Sequence, residues 1–173
     1  CDGPLYSGKD VVVVGGGDSA CEESLFLSKV TNSVTIVHRK AEFRASKIMQ
    51  DRVLANPKIR VIWNSEVEEV LGEDRKVSGV RIKNVYDGKV SELKASAMFL
   101  AIGHVPNSAP FRHVLDVDEV GYLKADSRMR TKLPGVFVAG DVYDRVYRQA
   151  VTAAGMGCQA ALEAERYLDG VSH

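Results

Sequence analysis

A glycine-rich turn between two apolar stretches constrains the fold of this chain more than any other feature. Val11–Val14 is an unbroken run of β-branched residues, which is typical of a buried parallel strand. Glycines follow at 15–17, residues 18–30 favour a helix, and a second apolar run lies at 34–37. This order predicts a parallel β–α–β unit with a right-handed crossover.

The turn has the pattern G-x-G-x-x-A, in which each small residue has a physical reason. Gly15 permits a tight turn, Gly17 lets the backbone approach a pyrophosphate, and Ala20 lets the helix pack closely on the strand. The helix N-terminus adds free N–H groups and the positive end of its dipole. We therefore expect a dinucleotide to bind at Gly15, Gly17, Asp18, Ser19 and Ala20, a plain glycine turn being the alternative.

The residues after the second strand indicate which dinucleotide binds. NAD-binding proteins of this fold usually carry a carboxylate about 20 residues beyond the turn, where it binds the ribose. This chain has His38, Arg39 and Lys40 there, and Arg44 follows. Cations attract the 2′-phosphate of NADP(H), and arginine can bind it in a bidentate manner. We expect NADP(H) rather than NAD(H), a solvated basic patch being the alternative.

The segments that follow predict an α/β domain with two kinds of sheet. Residues 45–55 favour a helix, 59–63 a third parallel strand, and 97–102 a buried strand that ends at Gly103. Asp87-Gly88 is a hairpin signal. The short runs between these strands predict a three-stranded antiparallel β-meander at 67–71, 77–82 and 90–93.

A domain boundary is predicted after residue 103, which gives domains 1–103 and 104–173. In the second domain we expect short strands near 121–125 and at 135–139. A long helix at 149–168 is expected to end before Gly170, because glycine favours the left-handed cap of a helix.

Composition excludes several classes of protein. Lys plus Arg and Asp plus Glu both number 23, so the basic excess of a nucleic-acid binder is missing. No apolar run approaches the roughly 20 residues of a membrane helix, and no leader is visible. The three cysteines suggest neither a disulfide framework nor a metal site, so a reducing, cytoplasmic location is expected. We expect Cys21, Cys158 and Trp63 to be buried.

Six short motifs follow one another along the chain: Cys1-Asp2-Gly3; Gly15–Ala20 with Cys21-Glu22-Glu23; His38-Arg39-Lys40 with Phe43-Arg44-Ala45; Ala101-Ile102-Gly103 with Pro106-Asn107; Pro134–Phe137 with Ala139-Gly140-Asp141; and Arg148-Gln149-Ala150. Together they resemble the motifs of the low-molecular-weight, bacterial-type thioredoxin reductases. Lys40 stands where this family often has arginine, which keeps the charge but weakens bidentate binding.

The resemblance implies the C-terminal half of a flavoprotein. Residues 1–103 would be nearly all of an NADPH-binding domain, and 104–173 the second segment of a discontinuous FAD-binding domain. Cys1 would belong to a redox-active cysteine pair, and Asp2 would protonate the leaving thiolate, a turn or cap aspartate being the alternative. The implied flavin contacts are Gly140, Asp141, Arg148, Gln149 and Ala150, and Ile102 of the Ala101-Ile102-Gly103 motif is a further expected cofactor contact.

The implied activity is transfer of a hydride from NADPH through FAD to the cysteine pair, which then reduces thioredoxin. The family is usually a homodimer. Two alternatives remain open at this point. One is a related flavoreductase that serves another acceptor, and the other is a nucleotide-binding module without turnover of its own.

Overall fold

The structure is a computed structural model that describes residues 2–171 of the chain. The chain divides into two compact units, Cys1–Gly103 and His104–His173, which we call unit 1 and unit 2. Within the described residues, no helix is long and apolar enough to cross a membrane.

Unit 1 contains the predicted β–α–β unit followed by the predicted meander. After a 3-10 turn at Gly3–Tyr6, its elements are β1 (Asp10–Gly15), α1 (Asp18–Val30), β2 (Ser33–Val37), α2 (Lys47–Leu54), β3 (Ile59–Ile62), β4 (Ser65–Glu73), β5 (Lys76–Asn84), β6 (Val90–Lys94) and β7 (Ala97–Ala101).

A four-stranded parallel sheet forms the centre of unit 1, with the strand order β3-β2-β1-β7. Val11, Val12 and Val13 of β1 are at most 1% exposed, because both faces of the sheet are covered. Val11 and Val13 pack with residues of α1 and α2 on one face, whereas Val12 packs with Val80 of β5 on the other. This burial on both sides explains why β1 has no polar alternation.

The second sheet of unit 1 is antiparallel, with the order β4-β5-β6. Its first turn places Asp74 and Arg75 at positive φ, and its second contains Gly88 at φ +69°. On the middle strand Arg81 forms ion pairs with Glu69 and Glu92 of the neighbouring strands. The predicted α/β class, with one parallel sheet and one β-meander, is confirmed.

The two short strands predicted in unit 2 do not form in the described structure. The expected strands at 121–125 and 135–139 are wrong, because each contributes only one isolated bridge, Val117 with Leu123 and Arg130 with Phe137. Asp118 and Asp126 accept hydrogen bonds from the backbone N–H groups that follow them, which closes turns instead of extending strands.

The long helix of unit 2, α3, spans Ala150–Val171. The prediction that it ends before Gly170 is wrong, because Gly170 lies within the helix and does not take the positive φ of a cap.

The two described cysteines also differ. Cys21 is fully buried in the α1 face of the core, where burial raises the pKa of its thiol to about 11. Cys158 is exposed on α3, so the prediction that it is buried is wrong. Trp63 is half-buried and packs against the unit 1 core.

Candidate functional site

A cleft of about 460 Å³ opens where β1 ends, and residues of unit 1 alone line it. In parallel sheets, ligands bind beyond the carboxyl ends of the strands. Seven of the predicted cofactor-binding residues lie on its wall: Gly15, Gly17, Ser19, His38, Arg39, Arg44 and Ile102. The structure therefore brings the glycine turn and two of the three cations to one cavity.

Gly15 sits where no side chain fits. Its φ is +154°, and a Cβ there would overlap the carbonyl oxygen of Ala101 and lie 2.8 Å from the Cβ of Ala20. Ala20 itself is fully buried. The two small residues therefore let β1, β7 and α1 meet closely at the edge of the cleft.

Gly16 packs directly on the imidazole ring of His38, since a Cβ at Gly16 would overlap that ring. His38 is 5% exposed. Its ring stacks with Phe43 at 5.9 Å between centroids and meets Trp63 edge-on at 6.1 Å. The rings of His38, Phe43 and Trp63 therefore form an aromatic cluster, and the glycine turn packs on its His38 ring.

The His38 ring is uncharged near neutral pH. Burial lowers its pKa, and the charges of Arg44, Arg39 and Lys40 lower it further, against the opposing effect of the Glu42 carbonyl. Nε2 lies 3.0 Å from the Glu42 carbonyl oxygen. Because a carbonyl can only accept, Nε2 carries the proton of the neutral ring and donates it to this bond.

Gly17 is the residue of the turn that leaves space. It immediately precedes α1, its φ is −99°, and a Cβ placed there would meet no atom within 4 Å. Neither backbone conformation nor packing therefore demands glycine here. The free space faces the N-terminus of α1, where unpaired N–H groups favour an anion.

The three cations Arg39, Lys40 and Arg44 are exposed. Arg39 and Arg44 line the cleft and Lys40 lies outside its wall. None of the three forms an ion pair with a carboxylate among residues 2–171. Arg44 is held to the glycine turn by its backbone, whose N–H donates to the Gly16 carbonyl oxygen at 2.7 Å.

The carboxylate of Asp18 contacts Ser46. Its Oδ1 accepts hydrogen bonds from the Ser46 N–H and the Ser46 hydroxyl, both at 2.9 Å. These two bonds hold the pKa of Asp18 below its usual range. Ser46 is the residue that precedes α2, and the sequence analysis missed its role. The sequence does mark the position of Ser46, because serine is favoured at the residue immediately before a helix.

Of the two predicted redox residues, the structure describes Asp2 alone. Cys1 falls outside the described residues. Asp2 is exposed, does not line the cleft, and precedes the 3-10 turn Gly3–Tyr6 without capping it through its side chain. Gly3 packs on Phe26 and Leu27 of α1, far along the helix from the glycine turn.

The predicted flavin residues of unit 2 lie on two turns, the 3-10 turn Gly140–Val142 and the turn that leads into α3. Gly140 has a φ of +77°, and Asp141 next to it is exposed. Arg148 has a φ of +51° and is followed by Gln149 and Ala150, where α3 begins. Both turns require strained or glycine-type backbone, which is frequent at binding sites.

Asp144 organises this region, and the sequence analysis missed it. The side chain is buried and accepts from the N–H groups of Val146, Tyr147 and Arg148 at 2.9–3.0 Å. The Thr152 hydroxyl donates to it as well, at 3.0 Å. The sequence carries a signal for this role, because an aspartate that is followed by a short loop often accepts hydrogen bonds from the backbone N–H groups of that loop.

These features define a class of protein: a Rossmann-like α/β protein with a glycine turn at the end of its first parallel strand. The model of the pyridine nucleotide-disulphide oxidoreductase family matches residues 2–157. The chain belongs to this family.

Relatives with established names share this sequence closely. The thioredoxin reductase of Streptomyces clavuligerus is 54% identical over 97% of this chain and 52% of its own length. That of Coxiella burnetii is 48% identical over 99% of this chain and 56% of its own length. The chain thus spans about half the length of the curated relatives it matches.

Solved structures of thioredoxin reductases have a fold similar to that of this chain. The crystal structure of thioredoxin reductase from Streptococcus pyogenes superimposes with a TM-score of 0.88 at 41% identity, covering 98% of this chain and 56% of that one. The thioredoxin reductase from Giardia duodenalis gives a TM-score of 0.78 at 46% identity over the same shares.

Proposed function

We propose that unit 1 binds NADPH in the cleft at the end of β1. The observation that carries this proposal is the cavity itself, which joins a glycine turn to two arginines that have no carboxylate partner among residues 2–171. The residues fit the cofactor, because Gly17 leaves open space beside the N-terminus of α1, where a pyrophosphate would be stabilised.

Each residue of the site then has a distinct role. The pyrophosphate lies over Gly15, Gly17 and Ser19, and Ala20 keeps α1 close to the sheet. Arg39 and Arg44, with Lys40 adding its charge from outside the wall, bind the 2′-phosphate. His38 contributes by supporting Gly16 and Glu42, since its ring is buried and its Nε2 proton is engaged.

We propose further that the whole protein is a thioredoxin reductase, a cytoplasmic homodimer. The names of relatives at about 50% identity support this activity. In that protein Gly140, Asp141, Arg148, Gln149 and Ala150 would contact FAD, whereas Ile102 lines the cleft proposed for NADPH. The turn fits a flavin nucleotide, because the exposed Asp141 carboxylate has no hydrogen-bond partner among residues 2–171 and can accept from a ribityl hydroxyl.

Bound NADPH and FAD would supply hydride transfer toward a disulfide that includes Cys1. Asp2 would hold the proton that the thiolate of this cysteine pair needs as it leaves. Its exposed position beside Cys1 permits that role. The reduced pair would then reduce thioredoxin by thiol–disulfide exchange.

Titration of the 173-residue chain with NADPH and NADH tests the cofactor proposal. The chain has one tryptophan, Trp63, whose fluorescence reports on the neighbouring cation-bearing segment. We expect NADPH to bind about tenfold or more tightly than NADH, because charge-assisted bonds to the 2′-phosphate are available to NADPH alone.

Matched variants assign that preference to particular residues. Arg44→Ala should remove most of it, whereas Arg52→Ala, which removes an exposed arginine of α2 outside the cleft, should leave it unchanged. Equal binding of the two nucleotides by the unmodified chain would refute NADPH as the donor.

A nucleotide-binding module without turnover is the second candidate, because the cleft is lined by unit 1 residues alone. Mixing the whole protein with FAD, NADPH and a disulfide dye separates the two. Dye reduction that depends on FAD supports the reductase, and NADPH binding without any dye reduction supports the module.

A further inference from the structure

The NADPH site is assembled from two segments that must keep a fixed distance. One is the glycine turn, 15–19, which faces the pyrophosphate, and the other is the cation segment, 39–46, which faces the 2′-phosphate. Arg44 is tied to the turn by its N–H bond to the Gly16 carbonyl oxygen at 2.7 Å. The second tie is the pair of 2.9 Å bonds from Ser46 to Asp18.

Asp18 is at first sight an unfavourable residue for this place. It occupies the first turn of α1, at the helix end proposed to bind a pyrophosphate, and a negative charge there opposes an anionic ligand. The geometry gives it another task. Its Oδ1 is occupied by both donors of Ser46, the residue that precedes α2.

We propose that Asp18 is a positioning residue that sets the preference for NADPH over NADH by holding the cation segment against the glycine turn. This inference rests on the proposed binding of NADPH by unit 1. The carboxylate acts through Ser46, two residues beyond Arg44, and does not itself contact the 2′-phosphate.

Two local features support this role. The Ser46 hydroxyl donates its hydrogen bond to Asp18, so the Ser46 side chain forms no cap bond to α2. The Asp18 carboxylate instead supplies the negative group that is favourable at the N-terminus of α2. Arg44 is thereby fixed from both sides, by Gly16 at its own N–H and by Asp18 through Ser46. A charged side chain held in register binds a phosphate better than one on a free loop.

The ratio of the NADPH and NADH affinities isolates this effect. Repulsion between Asp18 and the pyrophosphate is common to both cofactors, and relief of its repulsion of the additional 2′-phosphate would raise the ratio, which is opposite to the effect of losing the position of the cation segment. Loss of the cation segment's position weakens NADPH alone. We expect Asp18→Ala to lower the ratio about fivefold to tenfold.

The conservative variant separates the acceptor atom from the charge. Asp18→Asn keeps an oxygen that accepts from Ser46, so the ratio should stay within about twofold of the unmodified chain. Ser46→Ala removes the hydroxyl and keeps the N–H, and should lower the ratio about threefold. Asp51→Ala is the matched control, because it removes an exposed carboxylate of α2 whose one ion pair among residues 2–171 is with Lys47.

The affinities are measured by Trp63 fluorescence with NADPH and NADH on the 173-residue chain, with thermal unfolding recorded for each variant. If the unmodified chain shows no preference for NADPH, the proposed function fails. If it prefers NADPH and Asp18→Ala keeps that preference, or if Asp18→Asn loses as much of it as Asp18→Ala, the positioning role is overturned. Should Asp18→Ala not fold, an unchanged ratio in Ser46→Ala overturns it.

Discussion

Unit 1 and unit 2 are stabilised in different ways. Of the buried apolar residues among 2–171, 18 belong to unit 1 and five to unit 2. Unit 1 surrounds a parallel sheet whose central strand is buried on both faces. Unit 2, in contrast, has a small apolar cluster around Leu115, Leu123 and Val138 and a series of turns closed by carboxylates.

The carboxylates of unit 2 replace the regular backbone bonding of a sheet. Asp118 accepts from the N–H groups of Val120, Gly121 and Tyr122 at 2.7–2.9 Å. Glu163, 4% exposed on α3, forms ion pairs with Arg128, Arg130 and Arg166. The comparison teaches that unit 1 depends on apolar packing, whereas the loops of unit 2 depend on ionised side chains.

The largest effect is expected in the core of unit 1. Leu27 is 1% exposed beneath the parallel sheet, and Leu27→Ala should lower the free energy of unfolding by about 3 kcal/mol, since it leaves a cavity. Urea unfolding followed by Trp63 fluorescence measures this. Leu54→Ala on α2 is the control, because Leu54 is 57% exposed and should cost less than about 1 kcal/mol.

A smaller effect is expected from the polar centre of unit 2. Asp144→Ala leaves three backbone N–H groups and the Thr152 hydroxyl without their acceptor. The substitution should lower the free energy of unfolding by about 2 kcal/mol. Hydrogen exchange should quicken at 146–148. Asp144→Asn retains an acceptor and should cost less. If Asp144→Ala leaves hydrogen exchange in this loop unchanged, the claim that carboxylates stabilise the loops of unit 2 is wrong.

Acid should destabilise the loops of unit 2. The N–H of Arg130 holds the pKa of Asp126 below its ordinary value, and the N–H of Tyr147 does the same for Asp144. Burial alone would raise the pKa of Glu163, but hydrogen bonds from Arg166 and Arg130 outweigh it, and the pKa is lowered. These carboxyls bind protons in the unfolded chain first, so stability falls as pH drops below about 4.

Unit 1 should respond to pH in a different range. Burial lowers the pKa of His38, so the unfolded chain binds a proton before the folded one does. Stability contributed by the neutral ring is complete above the ordinary histidine pKa of about 6.5 and decreases as pH falls below it. Urea midpoints from Trp63 fluorescence at pH 7.5 and 5.5, compared with hydrogen exchange in α3, distinguish the two responses.

The smallest effect concerns a cysteine in each unit. Cys158→Ser should change the free energy of unfolding by less than about 0.5 kcal/mol, because the side chain is exposed. Alkylation of the folded chain at pH 8, mapped by peptide mass, should modify Cys158 rapidly. Cys21 should stay protected, because it is buried and its pKa is raised to about 11. Equal labelling of both would contradict the packing described for unit 1.

The sequence predicted unit 1 better than unit 2 for a physical reason. The strand Val11–Val14 and the hairpin at Asp87-Gly88 carry strong local patterns, an unbroken β-branched run beside a glycine turn and a two-residue turn signal, and each has a pairing strand in the fold. The runs at 121–125 and 135–139 are also apolar, but each forms only one isolated bridge among the described residues of unit 2, and aspartate turns at Asp118 and Asp126 flank the first run. Pattern alone does not show whether a strand has a partner.

Prediction of the site from sequence was limited in the same way, because a local pattern does not show which distant residues are in contact. The glycine turn and Arg44 could be found by spacing, and the structure brings them to one cleft. The contacts that fix them, Asp18 with Ser46 and His38 with Gly16, join residues more than 20 positions apart. Such contacts follow from the fold and cannot be found by a local motif.

The most direct test of the account is hydrogen exchange by mass spectrometry on the 173-residue chain, with and without NADPH. We expect NADPH to slow exchange at 15–19 and 39–46 of unit 1 and to leave the loops of unit 2 unchanged. NADH at the same fractional saturation should protect 15–19 but not 39–46. Protection confined to unit 2, or none at 39–46 with saturating NADPH, would contradict it.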